Sequence, residues 1–403
     1  MEKGSTRMGI ALGILCGVGP MATDMYLGAM PGIAASLNGS AAAVQLSVMA
    51  FFLGFTIGQL FYGPISDRVG RKPMIYLALM IFTAASIGCA FAGDAWQLLA
   101  WRLLQGIGGS IGMVMATAVI RDLYTGMQAT ALMSIVVLVN GAAPIIAPLI
   151  GSILLGAGSW RLIFGALAIL GLGAAAVTWI LLPETRMREL REISRPREAF
   201  KWYRHLLLRA DFIPYAGTLA LAQGGFFAYI AGSSFIFIDL YGLSPLAYSL
   251  VFSLNAIGLG IGSQIATRQV PHHGLRAVAR VSTAVYAAAA LLLLVIQIAG
   301  AGGVIPTSVL LFLMVSSLGG IMPTCSVLSV EGHGAISGVA AALMGALGFG
   351  AGALTSFLLG AFENGTATPM ITITAICAVA AAMTSHLTFP RINEQSRAAL
   401  QGH

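Results

Sequence analysis

The sequence predicts an all-α integral membrane protein whose twelve transmembrane helices form two pseudo-symmetric six-helix halves. Three observations lead to this prediction. The 403 residues are 58% apolar and only 9% charged, whereas soluble domains carry about 25% charged residues. The apolar residues form runs of about 20, the length that crosses the ~30 Å hydrocarbon core as a helix. The Lys and Arg residues lie mostly in segments between these runs.

Twelve apolar runs can be delimited along the chain. We interpret each run as one spanning helix, and several are rich in Gly, which is frequent in membrane helices. The runs cover residues 8–30, 43–64, 73–92, 96–120, 128–155, 160–182, 212–237, 245–267, 277–299, 304–329, 335–361 and 367–388.

The basic residues predict the orientation of the spans. With a cytoplasmic N-terminus, 19 of the 21 Lys and Arg residues fall in cytoplasmic segments, including Arg391 and Arg397 near the C-terminus. This asymmetry is the one that the positive-inside rule describes, so both termini are expected in the cytoplasm. Lys3 and Arg7 resemble the start of a secretory signal, but no clear small-residue cleavage site follows, and a retained first helix is expected.

One long polar connection divides the chain into two comparable parts. We predict a first half at 1–182, a cytoplasmic linker at 183–211 that lies partly on the inner leaflet, and a second half at 212–403 that ends in a short cytoplasmic tail. The fifth span contains Ser-Ile-Leu-Leu-Gly-Ala from residue 152, and the eleventh contains Ser-Phe-Leu-Leu-Gly-Ala 204 positions later. This offset favours a six-plus-six duplication, with the substrate site between the halves.

The placement of charged residues and cysteines argues against several other classes of protein. Nucleic-acid binding needs a basic face in water, but most of these bases lie in short turns. The four cysteines all fall in apolar runs without C-x-x-C spacing, so free buried thiols are expected rather than disulfides or a metal site. A lipid-modifying enzyme needs clustered carboxylates or His, whereas Asp94, Asp239 and Glu363 are isolated, and His272 and His273 are expected in a solvated turn. A channel does not depend on one protonatable residue within its spans, so the presence of such a residue argues against a channel.

Two ionisable residues lie inside predicted spans, Asp24 in the first and Arg102 in the fourth. A charge at bilayer depth is costly unless it is paired or hydrated, so both are candidates for function. Counted along their helices, both lie about 10 Å below the outer surface, which makes an Asp24–Arg102 pair possible. A helix movement that separates the pair would let Asp24 take up a proton. The alternative is a static structural ion pair.

Polar and aromatic residues in the spans suggest a substrate cavity around this pair. An apolar, aromatic cavity with few polar anchors suits lipophilic molecules better than sugars. Most polar side chains in a membrane bundle simply join helices, so these residues are candidates only. They are Met21, Tyr26, Gln45, Gln105, Asn140, Gln223, Phe226, Tyr229 and Asn255.

The fifth span contains two prolines four positions apart, Pro144 and Pro148, flanked by Gly141 and Gly151. Each proline removes a backbone donor, so a kink is expected. The small residues then permit close packing at the bend. The span is either a generic kinked helix or a gate helix that bends during transport.

A short charged stretch at 63–73 separates the second span from the third. We expect a tight turn at a membrane surface that couples the two helices. The eleventh span begins on the same side, near Gly334, so the positive end of its dipole could face Asp67. The fixed positions of the stretch are Gly63, Asp67, Arg68, Gly70, Arg71 and Lys72.

These motifs together resemble the major facilitator superfamily, over roughly residues 8–390. Residues 63–72 match its signature loop, Gly-x-x-x-Asp-Arg-x-Gly-Arg-Lys, at every fixed position. Residues 102–108 are similar to the Arg-x-x-Gln-Gly-x-Gly motif of proton-coupled members. Residues 141–151 resemble the antiporter motif of the Bcr/CflA branch, the bicyclomycin and chloramphenicol resistance proteins. Gly28 departs from that branch, which commonly has Pro there, and it should leave the outer end of the first helix looser.

The resemblance implies a monomeric multidrug efflux transporter of a bacterial inner membrane. It would export lipophilic molecules or antibiotics by proton antiport and alternating access, driven by the proton gradient without a cofactor or metal, and its partners would be drugs, protons and the bilayer. Asp24 and Arg102 would couple the protons, and Asp67 and Arg68 would latch the halves in the outward-open state. The alternative is an exporter of a native metabolite, such as a sugar, nucleoside or amino-acid derivative; a membrane enzyme or a channel is disfavoured.

Overall fold

A computed structural model describes residues 3–331 and 333–389, and these residues form helices and connecting turns without a strand. A π-helical segment, Phe235–Leu240, continues α11, and a 3-10 turn, Gly334–Ile336, precedes α15. The predicted C-terminal tail, with Arg391 and Arg397, lies outside the described residues. The α-helices are α1 (Lys3–Leu27), α2 (Met30–Ser36), α3 (Ala41–Val69), α4 (Arg71–Ala90), α5 (Ala95–Gly109), α6 (Ile111–Leu123), α7 (Gly126–Ala157), α8 (Arg161–Leu181), α9 (Arg188–Ile193), α10 (Pro196–Leu206), α11 (Ile213–Ser234), α12 (Pro245–His273), α13 (Leu275–Ile298), α14 (Val304–Val330), α15 (Ser337–Ala361) and α16 (Thr368–Thr388).

Twelve stretches of the described chain are long and apolar enough to cross a membrane, which confirms the predicted all-α membrane fold. The fourth stretch combines α5 and α6, and the seventh combines α11 with its π-helical end. We refer to α1–α8 as the first half and to α11–α16 as the second half. The connection between them contains α9 and α10.

Several spanning helices are longer than their apolar runs. α3 has 29 residues and α7 has 32, so each exceeds the ~30 Å hydrocarbon core at 1.5 Å per residue. The extra turns are polar: α3 continues through Asp67 and Arg68, and α12 continues through His272 and His273. The expected turn at the two histidines is therefore wrong, because hydropathy marks only the part of a helix that lies in hydrocarbon.

The predicted loop between the second and third spans is reduced to one residue. Gly70 alone separates α3 from α4, with a φ of 116°, a conformation that glycine adopts without steric cost. Gly274, 204 positions later, separates α12 from α13 in the same way, with a φ of 79°. Ser40 and Ser244, which cap α3 and α12, stand at the same offset. Local backbone structure thus repeats between the halves at the spacing of the sequence repeat.

The ends of two spans in the first half differ from the prediction. α1 ends at Leu27, and Gly28 and Ala29 separate it from α2. Asp24 therefore lies within one turn of the helix end, not about seven residues from it. The fourth span divides at Ser110 into α5 and α6.

Glycine brings the helices of the first half into close contact. A Cβ atom at Gly54 of α3 would overlap the carbonyl oxygen of Leu103 on α5. A Cβ atom at Gly106 of α5 would likewise overlap the carbonyl oxygen of Phe51 on α3. Because packing drives helix association in lipid, these positions hold α3 and α5 together and set the depth at which Arg102 is buried.

The two halves touch at one end of the bundle and diverge at the other. The loop face is the end that carries Gly70 and the connection between the halves, and the opposite face is the other end. Toward the opposite face, Ser249 of α12 donates to the Pro148 carbonyl at 3.0 Å, and Ser253 donates to the Ile145 carbonyl at 2.8 Å. At the loop face a cavity of about 1210 Å³ opens between the halves. This conformation is therefore open at the loop face and closed at the opposite face.

Candidate functional site

Asp24 is a membrane-embedded carboxylate on α1, and its residue surface is only 4% exposed. Within the described part of the chain it forms no ion pair or side-chain hydrogen bond, and burial is the main influence on its carboxyl group. One turn further along the chain, a Cβ atom at Gly28 would lie 3.6 Å from the hydroxyl oxygen of Ser249 in α12. Asp24 therefore lies at the boundary between the halves, where holding it as an anion is costly.

Arg102 on α5 is completely buried in the first half. Its guanidinium packs over the rings of Tyr26 and Phe51, 4.5 and 4.2 Å from their centroids. Its Nη1 atom donates to the Ala22 carbonyl at 3.0 Å and to Oε1 of Gln105 at 2.7 Å. The Nε and Nη2 atoms have no hydrogen-bond partner among the described residues. Burying a cation whose donors lack partners costs free energy. Arg102 is therefore fixed in position by two hydrogen bonds, but part of its hydrogen-bonding capacity is unused.

The Asp24–Arg102 ion pair, which the sequence makes possible, is not formed among the described residues in this conformation. The two side chains belong to neighbouring helices, and Arg102 reaches the backbone of α1 at Ala22, two residues before Asp24. Arg102 nevertheless lies inside the first half, over the ring of Tyr26, whereas Asp24 lies one turn from Gly28, which adjoins Ser249 of the second half. The depth of Asp24 and Arg102 in the membrane does not determine the direction in which either side chain leaves its helix.

The signature loop forms a buried charge network around Arg71, which is only 1% exposed. Arg71 contacts Asp67 at 2.8 Å and Asp122, at the end of α6, at 2.9 Å. It also donates to the hydroxyl of Ser66 at 2.6 Å. Arg71 therefore ties the end of α3 to the end of α6. Asp122 lies 51 positions after Arg71, and sequence reasoning did not identify it as an ion-pair partner.

The connection between the halves completes this network. Glu184 accepts hydrogen bonds from the backbone N–H groups of Arg71 at 3.0 Å and Lys72 at 3.2 Å, so it caps the positive end of α4. Arg191 pairs with Glu184 at 3.3 Å, and Arg186 pairs with Asp67 at 3.6 Å. Three of these contacts join residues more than 100 positions apart in the chain, so no local sequence pattern indicates them.

Asp67 contacts the first half and the connection in this conformation, not the start of α15. Its partners are Arg71 and Arg186. Arg68 is exposed, and Lys72 donates to the carbonyl of Trp179 at 3.3 Å. The latch between Asp67, Arg68 and the second half was expected in the outward-open state, so it stays a prediction for a conformation other than this one.

The connection packs against the protein on one face of α10. Tyr203 of α10 donates to the Leu60 carbonyl of α3 at 3.0 Å, and Phe200 lies 5.3 Å from the ring of Phe61. Burial and the nearby carboxylate of Asp67 raise the pKa of Tyr203 to about 12. This face of the connection is therefore covered by the helical bundle.

The proline-rich span, α7, is a continuous helix through Pro144 and Pro148. Gly151 lies against α1, where a Cβ atom would overlap the carbonyl oxygen of Met25, the residue after Asp24. Gly141 has no neighbouring atom within 4 Å of a Cβ position. The two glycines of the motif thus differ: Gly151 serves a close contact, and Gly141 does not.

The cavity at the loop face has walls from both halves and from the connection. Apolar residues such as Met133 and Val137 line it together with charged residues such as Arg71 and Arg121. Its volume of about 1210 Å³ exceeds the range of roughly 300–1,000 Å³ typical of drug-sized ligands. The cavity is therefore large enough for a small organic molecule. Of the signature loop, Gly63 also contributes to its lining.

None of the nine predicted cavity residues lines this cavity in the present conformation, and their role in substrate binding stays a prediction. Tyr26 and Gln105 are buried in the first half, where Gln105 donates to Ser86 at 2.8 Å. Asn255 donates to the hydroxyl of Tyr229 at 2.8 Å within the second half. The remaining residues are Gln45, which lines a small pocket at the opposite face, and the half-buried Met21, Asn140, Gln223 and Phe226.

A phenylalanine cluster explains why the predicted residues are shut off from the cavity. Phe52 of α3 lies 4.4 Å from Phe227 of α11, and Phe55 of α3 lies 4.2 Å from Phe349 of α15. On α3 these rings lie at least one turn deeper in the bundle than Gln59, which lines the cavity. The cluster therefore fills the space between the halves beyond the end of the cavity.

Comparisons with known proteins agree with this architecture. A family model of the Major Facilitator Superfamily matches residues 12–356. The chain is 34% identical over 400 residues to an uncharacterized MFS-type transporter, YdgK, of Bacillus subtilis, with 98% of both proteins covered. It is 28% identical over 370 residues to the bicyclomycin resistance protein homolog of Haemophilus influenzae, with 92% of this chain and 93% of that protein covered.

Among solved structures, a D-xylose-proton symporter has a TM-score of 0.78 with this chain. The alignment covers 96% of this chain and 98% of the symporter at 17% sequence identity. At that identity the likeness shows a common fold and carries no information about the substrate.

Proposed function

This chain belongs to the major facilitator superfamily, and from that premise we propose that it exports lipophilic small molecules, antibiotics among them, in exchange for protons. The resemblance to this superfamily and to its bicyclomycin-resistance branch is confirmed by the matches above. The chain is accordingly a transporter rather than an enzyme, and a multi-pass inner-membrane protein. Transporters of this kind need no cofactor.

The observation that carries the proposal is the isolation of Asp24. A carboxylate that is buried at membrane depth without an ion pair or hydrogen bond is a functional candidate by default. Neutralisation by a proton removes the cost of burying its charge. Gly28, one turn beyond Asp24, adjoins Ser249 of the second half, so the surroundings of this end of α1 change whenever the halves move apart. It is therefore suited to carry the exchanged proton.

Arg102 acts as a positioning residue in this proposal. It grips the α1 backbone at Ala22 and leaves two N–H-bearing atoms without partners. A positive charge on the neighbouring helix favours the ionised form of a carboxylate, so it would help Asp24 to release its proton. We expect Arg102→Ala to impair exchange and Arg102→Lys to retain part of it.

The direction of transport follows from the basic residues. Because Lys and Arg concentrate on the cytoplasmic side of membrane proteins, we assign the loop face and both termini to the cytoplasm. The substrate would then enter the loop-face cavity from the cytoplasm or the inner leaflet. Closure of the loop face and opening of the opposite face would release it outside, and Asp24 would be protonated from that side.

Transport by the purified protein in proteoliposomes tests the proposal. A pH gradient is imposed, and exchange is followed with a panel of lipophilic antibiotics, bicyclomycin and chloramphenicol among them, beside sugars, nucleosides and amino-acid derivatives. We expect gradient-driven transport of lipophilic members, and its loss in Asp24→Asn. Asp94→Asn is the matched control, because Asp94 is a carboxylate at the start of α5 whose capping hydrogen bonds asparagine can also make.

The outcomes separate the parts of the proposal. Gradient-driven transport that persists in Asp24→Asn would remove Asp24 from the proton path. Transport of metabolites without any lipophilic compound would replace drug export by metabolite export. Equal loss in Asp24→Asn and Asp94→Asn would mean that any change of carboxylate in this region impairs the protein.

A further inference from the structure

A second pocket, of about 190 Å³, lies between the halves at the opposite face. It shares no residue with the loop-face cavity. Gln45 of α3 forms its first-half side, and Asp239 and Glu363 stand on its second-half side. Asp239 belongs to the π-helical end of α11, and π-helical turns occur frequently at functional sites.

Gln45, one of the residues that line this pocket, carries an acceptor without a partner among the described residues. The residue is only 1% exposed, and its Nε2 atom donates to Oε2 of Glu363 at 3.3 Å. Its Oε1 atom is buried and has no hydrogen-bond partner in the described part of the chain. Because a buried acceptor without a donor is costly, its presence in a pocket indicates that a ligand supplies the donor.

The two carboxylates of the pocket also lack a basic partner. Neither Asp239 nor Glu363 forms an ion pair with the residues that the structure describes. The Gly365 N–H group donates to Oε1 of Glu363 at 2.7 Å and fixes that carboxylate. Arg161, the basic residue that the sequence places on this side, instead donates to the Ala92 carbonyl. The pocket is thus an anionic site with one amide and two carboxylate side chains, and no basic residue is among the described residues that line it.

We propose that this pocket binds the primary ammonium group of a small organic cation. An ammonium carries three N–H donors, which correspond to the Gln45 amide oxygen and the carboxylates of Asp239 and Glu363. A divalent metal is less suitable, since no group of three or more His, Cys, Asp or Glu residues able to hold one occurs among the described residues. The site is separate from the drug and proton sites proposed above.

Occupancy of the pocket would affect the transport cycle. Gln45 belongs to the first half, and the two carboxylates belong to the second. A cation that bonds to all three side chains therefore joins the halves at the opposite face. It stabilises the conformation that is open at the loop face and must leave before the opposite face can open.

Isothermal titration of the full-length protein in lipid nanodiscs tests this inference. The probes are n-propylammonium, tetramethylammonium and sodium chlorides at constant ionic strength. We expect n-propylammonium to bind, and Glu363→Gln and Asp239→Asn each to weaken its binding by about 10-fold or more, the typical effect of losing one charge-assisted hydrogen bond. Gln45→Leu should weaken it as well, and Asp94→Asn should leave it unchanged.

Several results would overturn the inference. Tetramethylammonium has no N–H donor, so equal binding of this ion would show that charge alone is recognised. Tighter binding of sodium would assign the pocket to an inorganic cation. Unchanged binding in both carboxylate variants, with melting temperatures equal to wild type, would place the ammonium elsewhere. Loss of binding in Asp24→Asn would assign it to the central carboxylate, whereas retention supports the separate pocket.

Discussion

Replacement of Gly151 by Ala should destabilise the protein, whereas the same change at Gly141 should not. Both glycines lie inside α7 and belong to the same motif. At Gly151 a Cβ atom would stand 3.0 Å from the Cα and carbonyl carbon of Met25 and still closer to its oxygen. At Gly141 a Cβ atom meets nothing within 4 Å. The pair therefore isolates the effect of the close approach between α7 and α1.

The magnitude follows from two opposing contributions. Ala in place of Gly within a helix stabilises by roughly 0.5–1 kcal/mol, and this gain applies to both variants. Overpacking costs about 1–3 kcal/mol, and it applies only to Gly151→Ala, because the obstacle is backbone that cannot rotate away. The difference between the variants is therefore about 1–3 kcal/mol, or about 1–4 °C in melting temperature for a chain of 403 residues.

Thermal unfolding with a thiol-reactive fluorophore measures this difference. All four cysteines are free and buried, so the dye reports their exposure as the protein unfolds. Transport should also fall in Gly151→Ala, because the displaced backbone at Met25 adjoins Asp24. A Gly151→Ala protein that melts at or above Gly141→Ala, and transports like wild type, would refute the close-contact argument.

Three further variants test the charge network and the connection. Tyr203→Phe should remove part of the stability that the protein loses at alkaline pH. The Tyr203 phenol has a pKa of 10.0 in the unfolded protein and about 12 in the folded protein, so wild type loses stability as pH rises through that window. Melting curves recorded across this pH range measure the difference. Glu184→Ala should lower the free energy of unfolding by about 1 kcal/mol, because α4 loses its cap, and it should speed tryptic cleavage of the connection. Glu189→Ala, which removes an exposed carboxylate, should do neither. Asp67→Ala should slow transport while drug binding, measured by titration, is retained, and loss of binding would contradict the assigned role.

The spans and the signature loop could be predicted because their signals are local. A run of about 20 apolar residues marks a membrane helix without any knowledge of its neighbours. The one-residue break at Gly70 was harder to foresee, because polar residues on both sides of it continue the helices beyond the hydrocarbon. Hydropathy treats such turns as loops, so α3 was expected to end several residues too early.

The partners of buried charges could not be predicted, because they depend on the direction in which each side chain points. The depth of Arg102 singled it out, but its guanidinium faces Tyr26 and the Ala22 carbonyl instead of the carboxylate of Asp24. Glu184 lies in the connection between the halves, and the sequence of this connection indicates only that it is polar. Its capping of α4 depends on the fold that brings residue 184 beside residue 71.

The location of Asp24 supplies a physical reason for coupling proton uptake to the movement of the halves. The α1 backbone around it is held on the first-half side, by Arg102 at Ala22 and by the close contact of Gly151 at Met25. One turn beyond it, Gly28 adjoins Ser249 of the second half, 3.6 Å from a Cβ position. Separation of the halves at the opposite face must therefore take α12 away from this end of α1 while α1 stays in place. We expect the vacated space to fill with water, so that Asp24 exchanges its proton with the outside only in that conformation.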